Sequence, residues 1–283
     1  MDNDEHRPKR SIEELRDLSR KLSRQILEMT TAAGSGHPSS SLSAIDVLTA
    51  LYFGGVLRYD PARPQWPARD RFILSKGHGV PALYAVMAEA GYFDPEKLMT
   101  LRELGSPLEG HPNMRALPGL EASTGSLGQG LSIGLGHALA ARIDDLDYRV
   151  YVMLGDGEAD EGQVWEATMA ATKYNVHNLT AILDYNQFQQ TGPVSEVMPS
   201  LVPFADKWAV FGWRVLEIDG HDIDAILDAL AQVQEEKDRP QIIVARTKKG
   251  KGLDVFEEDR VNRMHGEPVE EDELDEVLAE LAR

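Results

Sequence analysis

Five short apolar runs alternate with longer segments of helical periodicity along this chain of 283 residues. The apolar runs are Arg71–Leu74, Arg149–Leu154, Thr180–Tyr185, Trp213–Ile218 and Gln241–Ala245. They do not alternate with polar residues, which is typical of strands covered on both faces of a parallel sheet. The helical segments are Ser11–Thr31, Leu127–Arg142, Glu161–Tyr174 and Ile223–Lys237. This order predicts an α/β fold, with a mostly parallel sheet covered by helices on both faces.

No obvious linker divides the chain. The Pro- and Arg-rich segment Tyr59–Asp70 lies inside the first third and is interpreted as a long loop. Ser11 is a candidate helix N-cap, with Glu14 as its capping-box partner. The acidic segment Glu267–Arg283 favours a solvated surface helix, with a docking element as the alternative. We therefore expect a single domain over residues 1–283, with an N-terminal helix and an acidic C-terminal tail.

Charge and residue usage exclude several classes of protein. The chain has 29 Lys and Arg residues and 47 Asp and Glu residues, so its formal net charge is −18. Such an acidic surface repels nucleic acid and anionic membranes. The absence of cysteine excludes disulfides, thiolate metal sites and cysteine nucleophiles. The first ten residues lack the apolar core of a secretory signal, and the apolar stretch Leu42–Leu57 is too short to span a bilayer. We expect a cytoplasmic protein.

The strongest local signal is Gly155-Asp156-Gly157, which follows the second apolar run and precedes a helical pattern. Backbone N–H groups approach phosphates at such a strand–glycine–helix junction, although a lone turn of this kind is often only structural. Asn186 follows the next strand, and parallel strands place their carboxyl ends at one sheet edge. Asp156 and Asn186 could therefore meet there. One carboxylate, one amide oxygen and diphosphate oxygens together suit Mg²⁺.

Five of the eight histidines directly follow a glycine. Three of them lie in loops that contain Gly or Pro, namely His37 in SGHP, His78 in KGHG and His111 in EGHP, and His265 directly precedes a glycine. Together they suggest a polar pocket that moves protons near neutral pH. None forms the i, i+4 pair typical of a zinc helix. Of the other histidines, His137 and His221 are interpreted as structural residues, and His6 and His177 as surface residues.

These motifs together resemble one known family. A GDG sequence followed by 28 residues and an Asn is the thiamine diphosphate-binding motif. SGHP, LSKGHG, EGHP and the glycine-rich STGSLGQG precede it in the order found in the N-terminal, diphosphate-binding domain of transketolase. The similarity covers the chain from about Ser11 to Gly266. A full transketolase is more than twice as long, so the chain resembles the N-terminal subunit of a split, two-gene transketolase.

The resemblance implies a role for individual residues. Asp156 and Asn186 match the metal ligands, with the backbone carbonyl of Phe188 as the third, for Mg²⁺ or for Ca²⁺ or Mn²⁺ in its place. His37 and His111 match residues that face the substrate. The positions that match cofactor contacts are His78, Ser126, Leu127, Asp156, Gly157, Glu161, Asn186 and His265.

The resemblance also implies the chemistry. A two-carbon ketol group passes from a ketose or ketose phosphate to an aldose or aldose phosphate through thiamine diphosphate. His37, His78, His111 and His265 are the candidate catalytic residues. The glutamate that activates the cofactor belongs to the missing half, so the chain is expected to be inactive without a partner that carries the pyrimidine-binding and C-terminal domains. The family suggests a heterotetramer.

Some residues depart from the family pattern. Ser39 stands where glycine is common, and Gln187–Gly192 replaces an aliphatic stretch that ends in Asp-Gly. These changes leave open an unusual sugar as substrate. A deoxyxylulose-phosphate-synthase-like or 2-oxoacid-dehydrogenase-like enzyme and a non-catalytic cofactor-binding module are further alternatives. The basic segment Lys248–Gly252 is either a loop near the diphosphate or a solvated turn.

Overall fold

A five-stranded sheet forms the centre of the protein in a computed structural model that describes residues 7–251, 253–256 and 265–281. Its strands are β1 (Arg71–Leu74), β2 (Val150–Gly155), β3 (Leu179–Tyr185), β4 (Arg214–Asp219) and β5 (Gln241–Arg246). The order across the sheet is β1-β2-β3-β5-β4, and each pairing between these strands is parallel. The predicted α/β fold is confirmed, and each predicted strand is present with bounds shifted by at most one residue.

Helices surround the sheet. They are α1 (Ile12–Ala32), α2 (Pro38–Phe53), α3 (Val80–Glu89), α4 (Gln129–Ile143), α5 (Gly162–Lys173), α6 (Val194–Val197), α7 (Phe204–Val210), α8 (Ile223–Glu235) and α9 (Leu274–Leu281). Short 3₁₀ turns occupy Gly77–Gly79, Pro95–Thr100, Gly157–Asp160, Pro199–Leu201 and Asp254–Phe256. The four helices predicted from periodicity correspond to α1, α4, α5 and α8.

Two apolar cores lie on opposite faces of the sheet. Tyr151 and Met153 of β2 join the core formed with α1, α2, α3 and α8. Val150 and Val152 of the same strand join the core formed with α4, α5 and α7. Successive strand residues point to opposite faces, so a strand covered on both sides must be apolar throughout. This arrangement explains the uninterrupted apolar runs in the sequence.

The ends of the described chain both contribute helices to the first core. The predicted capping box begins α1, with Ser11 Oγ accepting from Glu14 N (3.3 Å) and Ser11 N donating to Glu14 Oε2 (2.8 Å). A helix forms in the acidic tail as expected, but α9 is not simply solvated. It buries Val277 and Leu278 in the core that contains α1. Residues 282 and 283 of the tail lie outside the described residues.

Helices α2 and α3 are absent from the predicted set. Each residue of α2 is buried, so the helix has no polar face and shows no amphipathic period. The sequence of the apolar stretch that begins at Leu42 indicates only that it is too short to span a membrane. Among the described residues, no helix is long and apolar enough to cross a membrane.

Candidate active site

A cavity of about 340 Å³ opens where the strands end. The segments that follow β1, β2 and β3 supply its wall, as the parallel topology requires, since all carboxyl ends lie at the same edge. Four predicted catalytic residues line it: His37, His78, His111 and His265. Five further residues predicted to bind the cofactor or the metal also line it: Leu127, Asp156, Gly157, Asn186 and Phe188. Gln190 and Thr191, from the segment that departs from the family pattern, line it as well.

Asp156 is a buried carboxylate at the end of β2, with 2% of its surface exposed. Its Oδ1 accepts from Gly157 N (2.8 Å) and its Oδ2 from Gln187 N (2.7 Å). Burial and the neighbouring Asp184 raise the pKa of Asp156 to about 7. None of the ion pairs among the described residues includes Asp156. A buried carboxylate without a bound counter-charge fits a cation ligand.

Asn186 follows β3 and is also buried. Its Oδ1 accepts from Phe188 N (3.1 Å), and its Nδ2 donates to Ser43 Oγ (3.4 Å) on α2. No group of three His, Cys, Asp or Glu side chains suited to a metal occurs in the described ranges. The donors at this edge therefore suit a hard cation that shares its coordination with phosphate oxygens, as Mg²⁺ does. The residues present fit such an ion.

An ion pair between Lys76 and Asp184 lies behind this edge, with both side chains 1% exposed. Lys76 Nζ also donates to Ser40 O (3.0 Å), and Asp184 Oδ2 accepts from Ser43 Oγ (2.6 Å). Burial opposes ionisation of Asp184, but Lys76 and the hydrogen bonds outweigh it and lower the pKa of the carboxyl. This ion pair was not predicted, although a lone acid within an apolar strand is a signal for it.

His37, His78 and His265 form a cluster, with ring centroids 5.1 to 5.2 Å apart. Burial, followed by the charge of Arg102, lowers the pKa of His37 to about 4. Burial, followed by the charge of Lys249, lowers the pKa of His265 to about 3. Burial also lowers the pKa of His78 well below its usual value. Near neutral pH all three rings are uncharged, so each has one nitrogen that donates and one that accepts.

Two fully buried ring nitrogens of this cluster have no hydrogen-bond partner within the described chain. They are the buried Nδ1 atoms of His37 and His265. His78 Nε2, in contrast, lies 2.9 Å from Ser40 Oγ. Buried polar atoms are nearly always hydrogen-bonded. The two orphaned atoms therefore indicate that a polar ligand completes the cluster.

His111 lies at the open side of the cavity. Its ring packs on Gly125, where an added Cβ would come within 2.9 Å of His111 Cδ2. Burial and then Arg102 lower the pKa of His111. Gly125 has a φ of +136°, a backbone conformation that favours glycine. Both this conformation and the contact with the His111 ring therefore restrict the position to glycine.

Two residues predicted as cofactor contacts lie outside the cavity wall. Ser126 and Glu161 are exposed, and Glu161 packs its Cβ beside Gly128. Besides Asp156, the acid Glu158 lines the cavity; it is 2% exposed and was not predicted. Burial raises the pKa of Glu158. Its carboxylate accepts from Ser75 Oγ (2.5 Å) and Gly128 N (2.8 Å) and thus joins two of the sequence motifs.

The basic segment after β5 is not a solvated turn throughout. Lys248 is exposed, but Lys249 is only 3% exposed. Lys249 Nζ donates to Gln189 O (3.5 Å), and within the described ranges it takes part in no ion pair. Burial and the nearby Lys76 lower the pKa of Lys249 to about 8. A buried ammonium beside Asp156 and the histidines, without its own carboxylate, favours an anionic ligand.

The other histidines of the described residues lie away from this cluster. His137 is half-buried in α4, and His177 is half-buried rather than at the surface as expected. His221 contacts Asp46 through Nδ1 (2.8 Å), consistent with the structural interpretation. His6 and Gly252 lie outside the described residues.

Comparison with known proteins identifies the family. The profile described as "Transketolase, thiamine diphosphate binding domain" matches residues 13–282. The chain belongs to this family. The predicted resemblance and the thiamine diphosphate-binding fold are thereby confirmed, and the chain is part of a transketolase-type transferase.

Two relatives have nearly the length of this chain. The "6-deoxy-6-sulfo-D-fructose transketolase subunit SqwG" of Clostridium sp. (strain MSTE9) is 47% identical over 231 residues, covering 82% of this chain and 83% of the relative. One of the subunits of the apulose-4-phosphate transketolase of Phocaeicola vulgatus is 42% identical over 246 residues, covering 87% of this chain and 86% of the relative. This transketolase-family chain is thus similar in extent to subunits of split enzymes.

Solved transketolases share the fold but are longer. The enzyme from Leishmania mexicana superposes with a TM-score of 0.86 at 30% identity, over 97% of this chain and 42% of that one. The enzyme from Campylobacter jejuni gives a TM-score of 0.86 at 31% identity, over 95% and 43%. The chain therefore spans about two fifths of these transketolases.

Proposed function

We propose that this chain is the N-terminal subunit of a split transketolase. With a second subunit it transfers a two-carbon ketol group from a ketose or its phosphate to an aldose or its phosphate, using thiamine diphosphate and Mg²⁺. The observation that carries the proposal is the meeting of Asp156, Asn186 and three uncharged histidines in one cavity. Residues 1–283 form a single diphosphate-binding domain in this proposal, and the protein acts in the cytoplasm.

The metal and the diphosphate would occupy the strand ends. Asp156, Asn186 and the carbonyl of Phe188 would hold Mg²⁺, with Ca²⁺ or Mn²⁺ as substitutes. Gly157 and the buried ammonium of Lys249 would face the diphosphate, which supplies the anion that Lys249 lacks. Charge-assisted bonds of this kind are stronger than neutral ones.

The histidines would handle the sugar. The bound thiamine diphosphate supplies the electron sink for breaking and forming the carbon–carbon bond. His37, His78 and His265 are uncharged at neutral pH, so each can take a proton from a sugar hydroxyl or hydrogen-bond to it. His111, at the open side, would hydrogen-bond the ketol hydroxyls. Leu127 would pack on the cofactor, while Ser126 and Glu161 would contribute only near the partner interface.

The partner would carry the remaining catalytic parts. The two relatives of similar length are both named as subunits, which supports a second chain with the pyrimidine-binding and C-terminal domains. A heterotetramer, with two copies of each chain, would follow the two-fold symmetry that most oligomers show.

The sugar has two candidates, a common ketose phosphate and an unusual sugar. The two subunit relatives are named for 6-deoxy-6-sulfo-D-fructose and apulose-4-phosphate. These names support an unusual sugar as a candidate substrate. Gln190 and Thr191 line the cavity and would contact the bound molecules. Ser39 is fully buried, and its carbonyl accepts from Gly250 N (2.9 Å), so its departure affects packing rather than the sugar.

A reconstitution assay tests the proposal. The chain is combined with the product of a neighbouring gene that encodes the missing domains, and ketol transfer is measured with thiamine diphosphate, Mg²⁺ and a panel of ketoses. Activity that requires both proteins is expected, and the panel identifies the sugar. A cofactor-binding complex that transfers no ketol group from any donor would overturn the proposed activity.

A further inference from the structure

The segment after β5, residues 247–251, is fixed along its whole length. Thr247 Oγ1 donates to Asp184, and Gly250 N donates to Ser39 O (2.9 Å). Gly250 has a φ of +68°, and an added Cβ there would come within 2.2 Å of Phe256. These contacts hold the segment along a path on which Lys249 is buried.

Two further anchors of the segment converge on Asp46. Lys251 Nζ pairs with the Asp46 carboxylate, and His221 Nδ1 lies 2.8 Å from Asp46 Oδ2. Lys248 N donates to His221 Nε2 (2.8 Å). Since Nε2 accepts, the ring proton is on Nδ1 and is donated to Asp46. The residues on both sides of Lys249 are thus connected to one carboxylate.

Asp46 is a charged residue at a buried position, where an apolar residue is expected. It lies in α2, whose residues are all buried, and is itself 2% exposed. A buried carboxylate is costly unless it is paired and hydrogen-bonded. Ser19 Oγ donates to it as well (2.5 Å), so its partners come from α1, from the turn before α8 and from the segment after β5.

Asp46 does not touch the candidate active site. Together with His221 and Lys251 it lines a second cavity, of about 390 Å³, which shares no lining residue with the first. Its contacts with His221 and Lys251 connect it to the active site through the segment after β5.

We propose that Asp46, acting through His221 and Lys251, is a positioning residue that holds Lys249 in place to bind the cofactor diphosphate. The inference rests on the proposed function, because it takes the anion beside Lys249 to be that diphosphate. Preorganisation of a charged donor lowers the ordering cost of binding. Replacement of Asp46 leaves Lys249 in the chain but no longer holds its side chain in position.

A double-mutant cycle tests this role. The dissociation constant of thiamine diphosphate is measured by calorimetry at saturating Mg²⁺, on the full-length chain together with its second subunit. Asp46→Asn is expected to weaken binding about tenfold, the scale of one charge-assisted hydrogen bond. In the Lys249→Met background the same change should alter binding less than about twofold, because coupled residues are not additive.

Hydrogen exchange gives a readout that needs no cofactor. The amides of Lys248 and Gly250 should exchange at least about tenfold faster in Asp46→Asn, because their hydrogen bonds open locally. The matched control is Asp224→Asn, which removes the exposed ion pair to Arg16 and should change neither quantity. If Asp46→Asn does not fold, Lys251→Met removes one anchor from the partly exposed side and is expected to act in the same direction.

The results of these experiments distinguish a failure of the proposed function from a failure of the positioning role of Asp46. A parent protein that does not bind thiamine diphosphate would overturn the proposed function. Binding by the parent with fully additive effects of the Asp46 and Lys249 changes, or unaltered exchange at Lys248 and Gly250, would overturn the positioning role alone.

Discussion

The carboxylate of Asp156 accepts a hydrogen bond from the backbone amide of Gln187, 2.7 Å away. This contact joins the ends of two neighbouring strands, β2 and β3, and fixes one carboxylate oxygen towards the segment that follows Asn186. Asp156 is therefore positioned by the backbone amides of Gly157 and Gln187 rather than by the other proposed metal ligands.

Replacement of Asp156 by Ala is expected to abolish the stabilisation that Mg²⁺ and thiamine diphosphate give together. The change removes the charged ligand of the metal. Even mutation of a residue that only supports a metal ligand lowers metal affinity 10- to 100-fold, so we expect the affinity to fall by at least about 100-fold. Thermal unfolding with and without both ligands measures it. Asp160→Asn, four residues on, serves as the control. An undiminished shift in Asp156→Ala would refute the metal assignment.

Lys249→Met should weaken binding of thiamine diphosphate about tenfold, because a buried charge-assisted contact is lost. Binding of thiamine, which has no phosphate, should be unchanged. The neighbouring Lys248→Met changes the same charge on an exposed side chain and provides the matched control. Calorimetric titration measures the affinities for thiamine diphosphate and for thiamine. An equal loss of affinity for thiamine would show that Lys249 does not act on the diphosphate.

His111→Ala should leave the cofactor bound and reduce turnover of the reconstituted enzyme about 100-fold, the usual scale for one proton-transferring or hydrogen-bonding side chain. Steady-state kinetics and cofactor titration are measured on the same preparation. His177→Ala, away from the cavity, is the control and should retain full turnover. Full turnover in His111→Ala would remove this residue from the catalytic set.

His37 gives a pH dependence with a definite sign. Its folded-state pKa, about 4, lies below the ordinary value of 6.5, so the unfolded chain binds more protons between these values. The histidine therefore costs stability as the pH falls from about 6.5 to about 4, by at most about 3 kcal/mol. Denaturant unfolding of the ligand-free parent and of His37→Asn at pH 7.5 and pH 5 measures the difference. A free-energy gap between them that is independent of pH would contradict this account.

Most of the sheet could be predicted because its strands are covered on both faces. Runs such as Arg71–Leu74 are apolar throughout, and each is followed by a turn or a helix start. The meeting of Asp156 and Asn186 followed from parallel topology alone. The GDG turn, the histidine loops and their order were enough to identify the family.

Other features depend on contacts that a sequence does not show. Helix α2 is buried on all sides, so it has no periodic signal. Glu158 and Glu161 lie three positions apart, and only the path of the 3₁₀ turn decides that Glu158 enters the cavity. The segment that carries the buried Lys249 contacts Asp46 through Lys251, and Asp46 lies about 200 positions earlier in the chain.

The contact among Ser75, Gly130 and Glu158 constrains how this protein can change. Gly130 N donates to Ser75 Oγ (3.1 Å), and an added Cβ at Gly130 would come within 2.3 Å of that oxygen. Three motifs that are far apart in the sequence therefore fit one another at a single point. A change at Ser75, Gly130 or Glu158 must therefore be accommodated by the other two residues of this contact.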